Sequence, residues 1–326
     1  MASADIAFPH LGIYFSTVPR SISLGGFTIA YYGLIIAVGM LMGLLLARWQ
    51  ANRTGQSKDL YTDFALYAII FSIIGARLYY VAFSWDNYKD DLAQIINIRG
   101  GGMAIYGAVI AAVITALIYC KIKKYDFFLF ADTAVVGLIL GQVIGRFGNF
   151  MNREAFGEYT DSFLAMRLKI NDVAQSSITD AMREHAVTQG DFTFIQVHPT
   201  FLYEAAWNLV VLILILAYTK KKKFDGELFL MYLVGYGIGR TWIEGLRTDQ
   251  LQIGTSGIAI SQVLSAALAI GGIVCLIIFH RMAKKKTVPV GMKIQGDETK
   301  DVFHEDEDQA LEDGLTEEMD TDNIES

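Results

Sequence analysis

Gly145-Arg146-Phe147-Gly148-Asn149-Phe150-Met151-Asn152-Arg153-Glu154 follows an almost uninterrupted apolar run from Phe127 to Ile144. A run of that kind suits a helix crossing a hydrocarbon core, which takes about 20 apolar residues. Ending it in arginines, asparagines and a glutamate is no design for contact with lipid tails. The stretch marks a polar point held at the end of a membrane helix, and the rest of the chain reads as arranged around it.

The 326 residues are 53% hydrophobic and only 19% charged, with mean hydropathy +0.37 and four prolines. Several apolar runs of membrane-crossing length make the chain an all-α polytopic membrane protein. Seven spans are expected: Ala30–Ala47, Tyr61–Phe83, Met103–Cys120, Phe127–Phe147, Phe201–Thr219, Leu228–Leu246 and Ile258–Phe279. The lead-in before the first span lacks a basic segment and a small-residue cleavage site, so it reads as ordinary chain and not as a cleaved signal. Cys120 and Cys275 lie in or at the end of apolar segments and read as small core residues, with no disulfide framework, metal site or cofactor expected.

The net charge of −7 is unevenly placed. Asp297–Ser326 hold 14 acidic residues against one lysine, so the membrane body is mildly basic. Residues 1–286 are expected to form the membrane domain, with a small outer head at 151–200. Residues 287–326 form an acidic, aromatic-poor tail expected to be disordered and cytoplasmic. Basic residues alternate between loops: Arg48, Arg53 and Lys58, then Lys121, Lys123 and Lys124, then Lys220–Lys223, then Arg281 and Lys284–Lys286. The opposite loops carry few, which places the N-terminus outside and the C-terminus in the cytoplasm. In the head, Phe163–Ile170 and Phe192–Val197 read as strands and Asn171–Gly190 as a polar helical piece.

Ionisable side chains within spans are costly, so each is a functional candidate. Gln142, Arg146 and Asn149 share one face of span four, Glu204 and Asn208 one face of span five, and Tyr236, Arg240 and Glu244 one face of span six. With orientation fixed, these faces, together with Arg77 and Tyr106, converge on the outer half of the bilayer. Each also has a plainer reading. Arg77 serves equally as a structural arginine on a carbonyl or carboxylate, and Arg240–Glu244 as a self-neutralising pair. Tyr32 and Tyr106 serve as interface anchors, and His198 as a helix cap. Two arginines at headgroup depth with carboxylates beside them favour an anionic lipid headgroup, because the planar guanidinium fork matches phosphate.

These stretches resemble the bacterial prolipoprotein diacylglyceryl transferase family. The likeness is carried by residues 145–154 together with Tyr31–Gly33, Gly75–Tyr79, Gly101–Gly107, His198–Glu204 and Gly235–Glu244. The resemblance implies transfer of the diacylglyceryl group of phosphatidylglycerol to the lipobox cysteine of preprolipoproteins in the bacterial cell membrane. Glycerol phosphate is released, and no nucleic acid is involved. It further implies that Arg146 and Arg240 bind the phosphate and that Asn149 and Glu154 shape the headgroup pocket. Tyr32, His198, Glu204, Tyr236 and Glu244 match other family positions, and Arg77 falls in the matched Gly75–Tyr79 stretch. The family pattern carries histidine where this chain has Tyr106, so the thiol's proton goes to Tyr106 or His198. The reading from another class is a transporter or flippase for an anionic lipid or solute, which calls for charged sites at the midplane.

Overall fold

A computed structural model describes residues 4–98, 101–250 and 257–285. The acidic tail and part of the glycine turn at residue 100 lie outside these described residues. The protein is mostly helical, built on α1 (Tyr31–Arg53), α2 (Lys58–Phe83), α3 (Ile105–Lys123), α4 (Phe127–Asn152), α6 (Thr200–Tyr218), α7 (Glu227–Glu244) and α8 (Ile260–Lys285). Six of these are long and apolar enough to cross a membrane. The seventh, α7, carries Glu227, Arg240 and Glu244, a charge load that only an interior position tolerates.

The helix α4 is the axis of the bundle, with α1 packed along it on one side and α6 and α7 on the other, while α2 pairs with α3 and α7 with α8. Small residues allow the closest approach. A methyl group added to Gly43 of α1 would stand 2.5 Å from the carbonyl oxygen of Gly137 on α4, so only hydrogen fits there. At the end of the bundle where α4 begins, buried Asp132 accepts hydrogen bonds from the backbone N–H groups of Gly226 and Phe229, both at 2.8 Å. It also meets Lys222 Nζ at 3.0 Å. The carboxylate thus caps the start of α7 and fixes where the polar stripe of that helix lands.

The opposite end carries a head whose architecture departs from the all-α expectation. It holds a five-stranded antiparallel sheet in the order β2-β1-β5-β7-β6. The strands are β1 (Ile6–Phe8), β2 (Ile13–Phe15), β5 (Met166–Lys169), β6 (Val187–Gln189) and β7 (Phe192–Val197). Strand β7 falls where the sequence places it, and β5 lies inside the expected Phe163–Ile170. The stretch 171–190 is not one helical piece: it holds 3-10 turns, the five-residue α5 (Asp180–Glu184) and strand β6. A separate hairpin, β3 (Ser21–Leu24) with β4 (Phe27–Ala30), leads into α1. Strands β1 and β2 come from the N-terminal lead-in, so the head extends beyond residues 151–200. Its core joins Ile6, Phe8, Met166, Leu168, Ile195 and Val197 to Phe201 at the start of α6.

Asp5 locks that lead-in down. Its carboxylate meets Lys169 Nζ and Arg153 Nη2, each at 2.9 Å, and accepts from the Val18 N–H at 2.9 Å. Burial pushes the Asp5 carboxyl up, but Lys169, the Val18 N–H and Arg153 together outweigh it and hold it below its ordinary 3.8. Because the folded value is depressed, this contribution is present above pH 3.8 and is lost as pH falls through the folded value. Asp5→Asn is therefore expected to lower hydrogen-exchange protection of the β1 and β5 amides by about 10-fold at pH 7. The gap between wild type and variant should close once pH falls below that range. An equal gap at pH 7 and pH 3 would refute the role of the carboxylate.

Candidate active site

Among the described residues a chain of linked ionisable side chains lies at the head end of the bundle. Glu204, in the first turns of α6, is 4% exposed and bridges two guanidiniums: Arg146 of α4 in close contact and Arg240 Nη1 of α7 at 2.7 Å. Arg240 Nη2 then meets Glu244 at 2.6 Å, one turn along α7, and Glu244 meets Arg247 at 3.5 Å. Ser261 of α8 donates to the other oxygen of Glu244 at 2.7 Å. Arg247 closes a two-pronged pair with Asp249, both contacts at 2.9 Å.

The spacing dictates this arrangement. Arg240 and Glu244 stand four apart on one helical face, as do Glu204 and Asn208. Asp132 at the start of α7 fixes where the face of that helix lands, and the ion pairs through Glu204 join it to α6 and Arg146. Glu204 and Glu244 are almost fully buried, whereas Arg146 and Arg240 keep 19% and 16% of their side-chain surface. A guanidinium has five N–H donors and these pairs use only some of them. The glutamates therefore hold each fork in a fixed orientation while donors remain for an incoming anion.

The remaining sequence candidates fall into three groups. Close to the cluster on α4, Asn149 donates to exposed Glu154 at 3.0 Å. Gly148 lets the Tyr32 ring of α1 lie directly on the helix, since a methyl there would come within 2.7 Å of the ring. Tyr236 lies one turn below Arg240 and stacks on Tyr232 with centroids 5.5 Å apart. His198, just ahead of α6, shares a hydrogen bond of 3.2 Å with the Tyr203 hydroxyl. Burial holds the His198 imidazole below its ordinary 6.5 against the pull of Glu158, so it is neutral at pH 7.

Arg77 and Tyr106 belong to the α2–α3 pair, which packs chiefly on itself. Here the structural reading of Arg77 prevails. Its Nε donates to the Ile95 carbonyl at 2.8 Å, and Nη1 donates to those of Gly101 and Gly102, both at 2.8 Å. Its Nη2 donates to Gln94 at 2.6 Å and Asn97 at 3.0 Å. With all five N–H directions committed, the guanidinium staples the loop before α3 and has no donor left for a substrate. The residue that this loop delivers is Tyr106 in the first turn of α3, 39% exposed and without a hydrogen-bond partner among the described residues.

Arg153 also leaves the cluster. With φ +55° at the C-cap of α4, it turns into the head and meets Asp5 at 2.9 Å and Asp172 at 3.6 Å. The sequence puts Arg247 next on the face of Arg240 and Glu244 without singling it out for the site, and does not single out Ser261. The first lies beyond the end of α7, and a lone serine in an apolar helix gives no signal. Among the described residues no group of His, Cys, Asp and Glu has the arrangement of a metal site.

A family model described as prolipoprotein diacylglyceryl transferase matches residues 19–278 of this chain. Proteins named phosphatidylglycerol–prolipoprotein diacylglyceryl transferase from Bacillus cereus (strains G9842 and Q1) and Bacillus anthracis (strain A0248) are each 42% identical to it over 265 residues. Those alignments cover 81% of this chain and 93% of each relative.

Proposed function

Because the chain belongs to the prolipoprotein diacylglyceryl transferase family, we propose that it transfers the diacylglyceryl group of phosphatidylglycerol to the lipobox cysteine of preprolipoproteins, the first step of lipoprotein maturation. The observation that carries this reading beyond the family likeness is Glu204 bridging Arg146 and Arg240 at the head end of an apolar bundle. Two oriented guanidiniums at the end of membrane helices fit a phosphodiester whose acyl chains lie between those helices.

In the proposed arrangement α7 joins the six apolar helices to make seven spans, as the sixth in chain order, and its charges face the bundle interior. The basic loops lie in the cytoplasm and the head lies outside, so the arginine cluster opens at the outer leaflet of the bacterial cell membrane. The N-terminal lead-in is thus external and the acidic tail cytoplasmic.

The chemistry then needs a thiolate, a fixed phosphate and an electron sink. The lipobox thiol, with ordinary pKa about 8.5, loses its proton. Its sulfur attacks the glyceryl carbon attached to the phosphate oxygen. A carbon–sulfur bond forms, the carbon–oxygen bond breaks, and glycerol phosphate departs with the electron pair. Arg146 and Arg240 stabilise the charge that grows on that phosphate. Tyr106 takes the thiol proton: its hydroxyl is uncommitted and the five bonds of Arg77 hold its loop in place. A hydroxyl accepts and donates at once, so Tyr106 gains the thiol proton as it passes its own to water. His198, neutral but tied to Tyr203, is the second candidate. Asn149, Glu154 and Tyr32 line the headgroup side, with Tyr236 one turn deeper on α7.

The test uses purified protein, mixed micelles of phosphatidylglycerol and a lipobox peptide. Glycerol phosphate should appear one-for-one with the loss of free peptide thiol. A protein that only moves lipid or solute across the bilayer would release none.

A further inference from the structure

Beneath the arginine cluster, away from the head, lies a second polar layer that the phosphate does not reach. Helices α4 and α6 run in opposite directions, and Arg146 on one meets Glu204 on the other. One turn further from the head, about 6 Å along each axis, stand Gln142 on α4 and Asn208 on α6. Asn208 is 3% exposed, and its Nδ2 is buried without a hydrogen-bond partner among the described residues. Gln142 donates from Nε2 to the Tyr232 hydroxyl at 2.9 Å, while its Oε1 is buried and unpaired. A half-turn of that amide lets Tyr232 donate in its place and frees the Gln142 N–H. Unpaired buried amides in an apolar bundle are destabilising unless something pairs with them.

Resting on the phosphatidylglycerol reading, we propose that Asn208, with Gln142 in the same layer, donates hydrogen bonds to the ester carbonyls of the bound diacylglyceryl group. The order of groups along the lipid matches the order along the helices. Phosphate meets the arginines, and the ester carbonyls, a few bonds further on, reach about one helical turn deeper. The acyl chains continue into the apolar bundle beyond. A carbonyl has only acceptor sites, and the orphan group on Asn208 is a donor. The bonds that react are elsewhere in the lipid, so this layer recognises the transferred group without taking part in its chemistry.

The test compares diester phosphatidylglycerol with its diether counterpart, in which methylenes replace the carbonyls at equal chain length. Thioether formation on a lipobox peptide is measured with the purified full-length protein at subsaturating lipid. Wild type is expected to favour the diester by about 3- to 10-fold, the value of one or two neutral hydrogen bonds. Asn208→Leu, close in shape, should lose most of that preference through a lower diester rate, with the diether rate within twofold of wild type. Unchanged diether turnover also shows that the variant folds. If Asn208→Leu does not fold, Asn208→Ala gives the same ratio. Equal losses on both lipids would make Asn208 a packing residue and overturn the proposal, as would an unchanged diester rate. A wild-type protein that makes no thioether from either lipid fails the transferase reading itself, and this inference with it.

Discussion

Arg240→Ala is expected to lower thioether formation by about 10²- to 10³-fold or more, the loss seen when one fixed donor to a developing negative charge is removed. Arg240 is the hub of the site: it holds Glu204 at 2.7 Å and Glu244 at 2.6 Å, and through Glu204 it is tied to Arg146. Two effects need separating. Taking one partner from a buried ion pair leaves the other charge uncompensated and costs about 3–5 kcal/mol of stability. Arg240→Ala alone is therefore expected to fold less well as well as to turn over less. Glu204 keeps Arg146, so pairing it with Glu244→Gln removes the carboxylate left with only Arg247 at 3.5 Å, and that double variant should regain stability without regaining activity. Arg240→Lys keeps the charge but not the planar fork, and should recover only a small part of the rate. Arg146→Ala should behave in the same sense, since Arg146 shares the same carboxylate. A double variant that recovers activity along with stability would show the arginine to be structural.

The second large effect is expected at Tyr106. Tyr106→Phe keeps the ring and removes only the hydroxyl, and should lower kcat by about 10²-fold, at the low end for general acid–base groups. Half-saturation by phosphatidylglycerol should change little, because the phosphate contacts lie on α4 and α7. Arg77→Lys should act in the same direction through placement of Tyr106. A lysine cannot reproduce five N–H bonds to the carbonyls of Gln94, Ile95, Asn97, Gly101 and Gly102. The two changes combined should cost little more than Tyr106→Phe alone, since both act on one step. If Tyr106→Phe keeps near-full activity while His198→Gln loses it, the proton goes to the imidazole, which burial keeps neutral.

The arginine cluster was legible in the sequence because charge inside an apolar helix is expensive and helical spacing is rigid. Gln142, Arg146 and Asn149, or Arg240 and Glu244, share a face wherever the helix goes. The partners across helices were not legible. Nothing in the spacing says that Glu204 bridges two arginines, that Ser261 reaches Glu244, or that Asp132 caps a helix more than ninety residues later in the chain. Arg77 shows the converse case: its place in a span left a ligand and a structural partner equally open, and its five hydrogen bonds go to carbonyls of its own loop. The head was half visible. Strand β7 is six residues long and alternates, but β1 and β2 have three residues each, and β1 lies between β2 and a segment about 160 residues away. Such short strands carry no periodicity, and their pairing is set by burial of Ile6 and Phe8 and by the Asp5 lock.

The arginine-lined end of the bundle is where the carbon–sulfur bond should form. The direct measurement is the mass of a lipobox peptide after incubation with the purified protein and phosphatidylglycerol of defined acyl chains. One diacylglyceryl group should be added at the cysteine sulfur, its mass tracking the acyl chains supplied, with none on a Cys→Ser peptide. A peptide recovered at its original mass, from protein shown to be folded and bound to that lipid, would rule out diacylglyceryl transfer at this site.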